Sequence, residues 1–309
     1  MNDQVKPSLG HHAEALLVRA LLVLLRCFSL GRASGLGGHV ARLMGPMIPV
    51  SNVARRNLVL AMPELTAAAR REIIADTWEN LGRTAAELAR LGDFEETAQG
   101  PGFVVTGWDE NVAPALAQGG PTIFFTGHFG NWEIIPRAAA ARGIDVGFLY
   151  RAASNQLVDE IILGLREAAL GRKLKMFPKG GPGARAAYAH LARGGTLAML
   201  MDQKLDTGLA VPFFGREAMT GTAMASFALR FKCPVLPVHV VRTGPARLEM
   251  VCEPPMAIPN TGDKEADTKT MTEAMNRVLE GWIRAQPGGW LWLHKRWPKP
   301  LYKTRRDNE

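Results

Sequence analysis

The chain has 309 residues, of which 47% are hydrophobic and 21% charged, and its formal net charge is +8. That balance excludes a disordered chain and a polytopic membrane protein, and the length suits one large domain or two modest ones. The positive excess favours acidic partners. Nucleic acid is set aside as one of them: there is no zinc-finger spacing and no RNP-like aromatic motif, and the basic residues are dispersed. Cys27, Cys233 and Cys252 lie far apart and form neither a metal pattern nor a disulfide framework. They read as ordinary apolar residues of a reducing compartment.

In chain order, the first element predicted is an apolar helix over 13–30, interrupted by Arg19 and Arg26. It is short of the ~20 apolar residues that span a bilayer. A signal peptide fits poorly, because no small-residue cleavage site follows. The segment reads as an interfacial helix whose arginines reach headgroups, with a buried core helix as the alternative. Arg32, Arg42, Arg55 and Arg56 would suit an anionic cytoplasmic leaflet. The glycine-rich stretch 31–45 reads as a bend into a second short helix. Apolar residues from Ile73 to Leu88 recur at helix spacing over 65–91, with Thr66 as cap. Asn80, Arg83 and Glu87 on this helix fit a place near a site or a solvated face, and the solvated face is the preferred reading.

From about Phe103 strands and helices alternate. Strands are predicted over 103–106, 122–126, 145–150, 196–201, 235–241 and 248–252. Helices fit at 111–117, 133–142, 155–170, 183–193, 221–231 and 264–285. Such alternation predicts an α/β fold, a mainly parallel or mixed sheet flanked by helices. Gly181 to Ala186 only superficially resembles a dinucleotide fingerprint and reads as a glycine-rich loop.

The run Thr126-Gly-His128-Phe-Gly-Asn-Trp-Glu133 places a histidine at a strand end and a carboxylate five positions on. Histidine takes a proton near neutral pH, and a carboxylate can fix its tautomer. Alone, the two fit a catalytic pair and a backbone-satisfied histidine beside a solvated glutamate equally well. No G-x-S-x-G elbow, P-loop or helical zinc motif occurs, so the simplest chemistry is base catalysis on a substrate hydroxyl. Arg151 and Arg166 suit phosphate groups, with surface salt bridges as the alternative. Asp202-Gln203 closes an apolar strand. The aromatics in Val211 to Gly215 read as core, with the lining of an acyl-chain channel as the alternative. The tail Trp290-Leu-Trp-Leu-His294-Lys-Arg296-Trp297 mixes tryptophans and bases, which suits a membrane interface or a phosphate site.

Taken in order, Arg56-Asn-Leu58, Pro63-Glu64, Trp78-Glu-Asn-Leu-Gly-Arg83, Gly127 to Glu133, Tyr150-Arg151, Asp202-Gln203, Phe213-Phe-Gly215 and Trp290 to Trp297 resemble the bacterial lipid A biosynthesis acyltransferases. These are the late lauroyl/myristoyl enzymes of the lysophospholipid acyltransferase superfamily. The resemblance implies a glycerol-3-phosphate acyltransferase-like fold, with a membrane-associated helical segment over 1–45 and a catalytic domain over 46–309. It implies acyl transfer from an acyl-acyl carrier protein to a hydroxyl of a phosphorylated glycolipid, on the cytoplasmic face of the inner membrane. Acyl-acyl carrier protein would be the co-substrate, and no cofactor or metal is expected. On that reading His128 is the base and Glu133 its orienting partner, while Arg151, Arg166, Asp202, Gln203 and Arg296 bind substrate. The chain departs from the family at Tyr150-Arg-Ala-Ala-Ser-Asn155-Gln, where a Tyr-Arg-Pro then Asn-Pro pattern is usual; this bears on the acceptor. Three alternatives remain: a related acyltransferase with another lipid acceptor, a thioester hydrolase, and a membrane-bound scaffold that has lost catalysis.

Overall fold

A computed structural model describes residues 7–150 and 153–302. Four helices come first: α1 (Leu9–Arg26), α2 (Leu30–Met44), α3 (Ser51–Ala61) and α4 (Ala67–Leu88). Then β1 (Gly102–Thr106), α5 (Ala113–Ala117), β2 (Thr122–Thr126), α6 (Ile135–Ala141), β3 (Val146–Tyr150), α7 (Gln156–Leu170), β4 (Lys175–Pro178), α8 (Gly181–Ala192) and β5 (Thr196–Leu200) alternate. A hairpin of β6 (Lys204–Phe213) and β7 (Arg216–Thr220) follows. After it come α9 (Ala223–Phe231), β8 (Val235–Gly244), β9 (Arg247–Cys252) and α10 (Lys264–Ala285).

Seven strands form one sheet in the order β1-β9-β8-β2-β5-β3-β4, parallel at every pairing except β8 with β9. This is the mixed α/β sheet predicted. Every residue of β2 is buried, because helices cover both faces. Ile123 and Phe125 point into a core shared with α8, α9 and α10, whereas Phe124 points into one shared with α6. The cap predicted at Thr66 is present, and Asn155 caps α7 in the same way: each side-chain oxygen accepts an N–H from the first turn of its helix, at 3.1 and 3.0 Å.

Several local readings change. The stretch 31–45 is not a bend: most of it is α2, packed on α4. Its glycines serve close approach. A Cβ on Gly37 would meet Gly82 O at 2.6 Å, and one on Gly82 would meet Gly37 O at 2.3 Å. The 181–186 run is the start of α8, preceded directly by β4. Among the described residues no helix is long and apolar enough to cross a membrane. Helix α1 keeps an apolar surface in the open, with Leu16 at 68% and Leu17 at 70% exposure. Leu36, Val40 and Leu43 on α2 are exposed as well. Arg26 is exposed but also ties α1 to the end of α4, its Nε donating to the carbonyl of Ala89.

Candidate active site

Strand β2 lies beside β5, and their register pairs Thr126 with Leu200. Two residues further along, each chain leaves the sheet, at His128 and at Asp202. The side chains therefore meet at the carboxyl ends of adjacent parallel strands, where open α/β sheets place their ligands. His128 Nδ1 lies 2.9 Å from Asp202 Oδ1. The His128 backbone N–H donates to Oδ2 at 3.0 Å, and the Trp290 indole N–H donates to the same oxygen at 2.8 Å. A carboxylate only accepts, so Nδ1 carries the proton and Nε2 of neutral His128 keeps its lone pair. Nε2 has no hydrogen-bond partner among the described residues.

Asp202 is fully buried. Burial works against its charge, but His128 prevails and holds the carboxyl far below its ordinary range. At His128 burial disfavours the cation, yet Asp202 outweighs it, with help from Glu133, and the ring pKa is raised.

The expectation that Glu133 orients His128 is corrected. Glu133 sits in a 3₁₀ turn, Trp132–Ile134, that aims its carboxylate at α7. There it accepts Arg166 Nε at 2.7 Å and Nη2 at 2.6 Å, a two-pronged pair, and also the Trp132 indole at 3.1 Å. Glu133 influences His128 through its charge, not through a bond. At Arg166 burial opposes the cation, but Glu133 overrides it and the pKa is raised.

Asn131 accepts the Glu133 backbone N–H on Oδ1 and donates to the buried carboxylate of Glu87 at 2.7 Å. Glu87 also accepts Ser34 Oγ at 2.6 Å and pairs with Arg242. Asn80 donates to the carbonyl of Gly130 at 2.9 Å. Asn80 and Glu87 are thus the scaffold behind the loop that carries His128, contrary to the solvated reading. Gly130 has φ +58°, and a Cβ there would lie 1.8 Å from Val240 O, so only glycine fits this loop.

His128, Glu133 and Arg166 border a cavity of about 600 Å³ whose walls are chiefly apolar: Phe148, Leu149, Met176, Met199 and Leu205 among them. Tyr150 and Gln203 line it too. Asp202 is not a substrate contact by geometry; it is the partner of the histidine. Arg296 is corrected outright. It is fully buried against the β6–β7 hairpin, donating to Thr220 Oγ1 at 2.8 Å and Asn276 Oδ1 at 3.1 Å. Burial lowers its pKa to about 10. Arg151 lies outside the described residues. Among the described residues, no group of three or more His, Cys, Asp or Glu side chains forms a metal site. Cys233 and Cys252 are buried, their thiols pushed by desolvation to about 11 and about 12, which suits inert apolar packing.

Residues 3–299 match the family described as bacterial lipid A biosynthesis acyltransferase. The chain belongs to that family. It is also similar to the lipid A biosynthesis lauroyltransferase of Escherichia coli (strain K12), with 25% identity over 279 residues, covering 88% of this chain and 84% of that protein. In this acyltransferase, then, the histidine, Glu133 and the arginine border one largely apolar cavity, and buried Asp202 lies behind the histidine.

Proposed function

We propose that this protein transfers a fatty acyl chain from an acyl-acyl carrier protein thioester to a hydroxyl of a lipid A precursor. The observation that carries this is the pairing of His128 with buried Asp202 at the mouth of a largely apolar cavity. The acyl chain lies along the apolar wall. His128 Nε2 takes the proton of the acceptor hydroxyl as that oxygen attacks the thioester carbonyl. The tetrahedral oxyanion collapses, the C–S bond breaks, and the imidazolium returns its proton to the departing thiolate. Ester and free thiol are the products, and no cofactor enters. Arg166 uses two of its five N–H donors on Glu133, and its remaining donors can face the developing oxyanion.

The net charge of +8 suits an acidic carrier protein and a phosphorylated glycolipid. The exposed leucines of α1 and α2 suit a position on the cytoplasmic face of the inner membrane, among its lipids. Gln203 remains a substrate-binding candidate because it lines the cavity. The test is His128→Ala, with the lipid product followed by mass spectrometry. Transfer falls by about 100- to 10,000-fold while vesicle binding persists. Full activity in the variant overturns the reading.

A further inference from the structure

We propose that Trp290 is a positioning residue for His128, acting through Asp202. The proposal rests on His128 being the base of the transfer described above.

Asp202 has no exposure, so both its oxygens need donors. Oδ1 is used by the His128 ring. Oδ2 is held by the Trp290 indole at 2.8 Å and the His128 backbone at 3.0 Å. Trp290 itself is 1% exposed and cannot substitute water for that bond. Its place is fixed by the loop it serves. Leu291 N donates to His128 O at 3.1 Å, and Gly130 N donates to Gly289 O at 2.9 Å. Phe129 and Trp290 form an antiparallel bridge between these bonds. Residues 289–291 thus run as a strap along residues 128–130. The strap holds the backbone of the base and the carboxylate behind it as one unit.

Two effects follow. The indole fixes the plane of the carboxylate, so Oδ1 stays aimed at Nδ1. It also draws charge toward Oδ2, which tempers the pull of Asp202 on the imidazolium. The other ionisable groups bearing on this pair are Glu133 from the 3₁₀ turn, Arg166 from α7, and His294. The His294 ring lies edge-on to Trp290, with centroids 5.2 Å apart, and its Nε2 is 3.3 Å from the Asp202 carbonyl. None of these replaces the indole at Oδ2.

Trp290→Phe tests this in the full chain. The indole N–H is lost and more carboxylate charge faces the ring, so the pKa of His128 rises. The acid limb of kcat/KM moves up by roughly 0.5–1 pH unit, and kcat falls by about tenfold with KM little changed. An NMR titration of the His128 imidazole shows the same upward shift without any substrate. A wrong acceptor would therefore leave that readout standing. Trp292→Phe is the control: its indole donates at 2.8 Å to the carbonyl of Pro287, and it lies one residue past the strap and equally buried, but it does not donate to Asp202. It lowers the melting temperature without moving the His128 titration. If Trp290→Phe fails to fold, benzothienylalanine at position 290 keeps the ring shape and replaces only the N–H. A His128 titration that stays in place or moves down in a folded variant overturns the proposal.

Discussion

At the scale of single residues, the decisive fact is which carboxylate touches which partner. Asp202 holds His128, and Glu133 holds Arg166. Asp202→Asn removes the acceptor that fixes the tautomer, and transfer drops about 100- to 10,000-fold. Without that carboxylate, burial lowers the His128 pKa, so the acid limb of residual activity moves to lower pH. The same pair makes stability pH-dependent. The raised His128 contributes stability below its unfolded pKa and loses it as pH rises through the folded value. The depressed Asp202 contributes above its unfolded pKa and loses it as pH falls toward the folded value. The pair therefore supports the fold most between about pH 4 and 6.5, the two unperturbed values. A urea midpoint followed across pH checks this in wild type against Asp202→Asn. Arg166→Lys loses the two-pronged geometry that a point charge cannot reproduce, and kcat falls with it.

At the scale of elements, two helices explain how the loop that carries His128 is held. Helix α4 carries Asn80, Thr84 and Glu87 at helical spacing on one face. Asn80 and Thr84 both reach the carbonyl of Gly130, and Glu87 reaches Asn131. That polar stripe of short hydrogen-bonding residues was the available signal in the sequence. Its burial was not legible, because a polar stripe normally faces water. Glu87→Ala leaves the half-buried Arg242 without its fully buried carboxylate, and a loss of about 3 kcal/mol in denaturant unfolding is expected. Gly37→Ala on α2 drives a methyl into the backbone of α4, which costs about 1–3 kcal/mol by the same measurement. The β6–β7 hairpin also escaped the sequence pattern. Its two-residue turn, Phe214-Gly215, has positive φ at both positions, a conformation usually signalled by Asn-Gly rather than by an aromatic. The short edge strand β4 ends in a proline, which reads as a strand terminator and hides it.

For the whole molecule, the exposed apolar surface of α1 and α2 is the face we propose meets the lipid phase. Leu17 and Leu21 are 70% and 52% exposed, so replacing both with glutamate leaves the melting temperature near wild type. The same double variant loses flotation with anionic vesicles, since it removes buried apolar area and adds like charge. Retained flotation would place the membrane contact elsewhere on the surface. Wild-type flotation weakens as salt is raised, because exposed charges are screened beyond about 8 Å at physiological ionic strength.

The amino-acid sequence by itself determined the alternation of strands and helices, the position of His128 at a strand end, and the family. Those depend on periodicity, turn chemistry and local motifs, which are properties of neighbours along the chain. Only the tertiary structure decided that Asp202 rather than Glu133 serves His128, that Arg296 is core, and that Trp290 lies beneath the carboxylate. Each of these depends on contacts between segments far apart along the chain. The adjacency of β2 and β5 brings residues 128 and 202 together across a separation of 74 positions, and no local pattern encodes it.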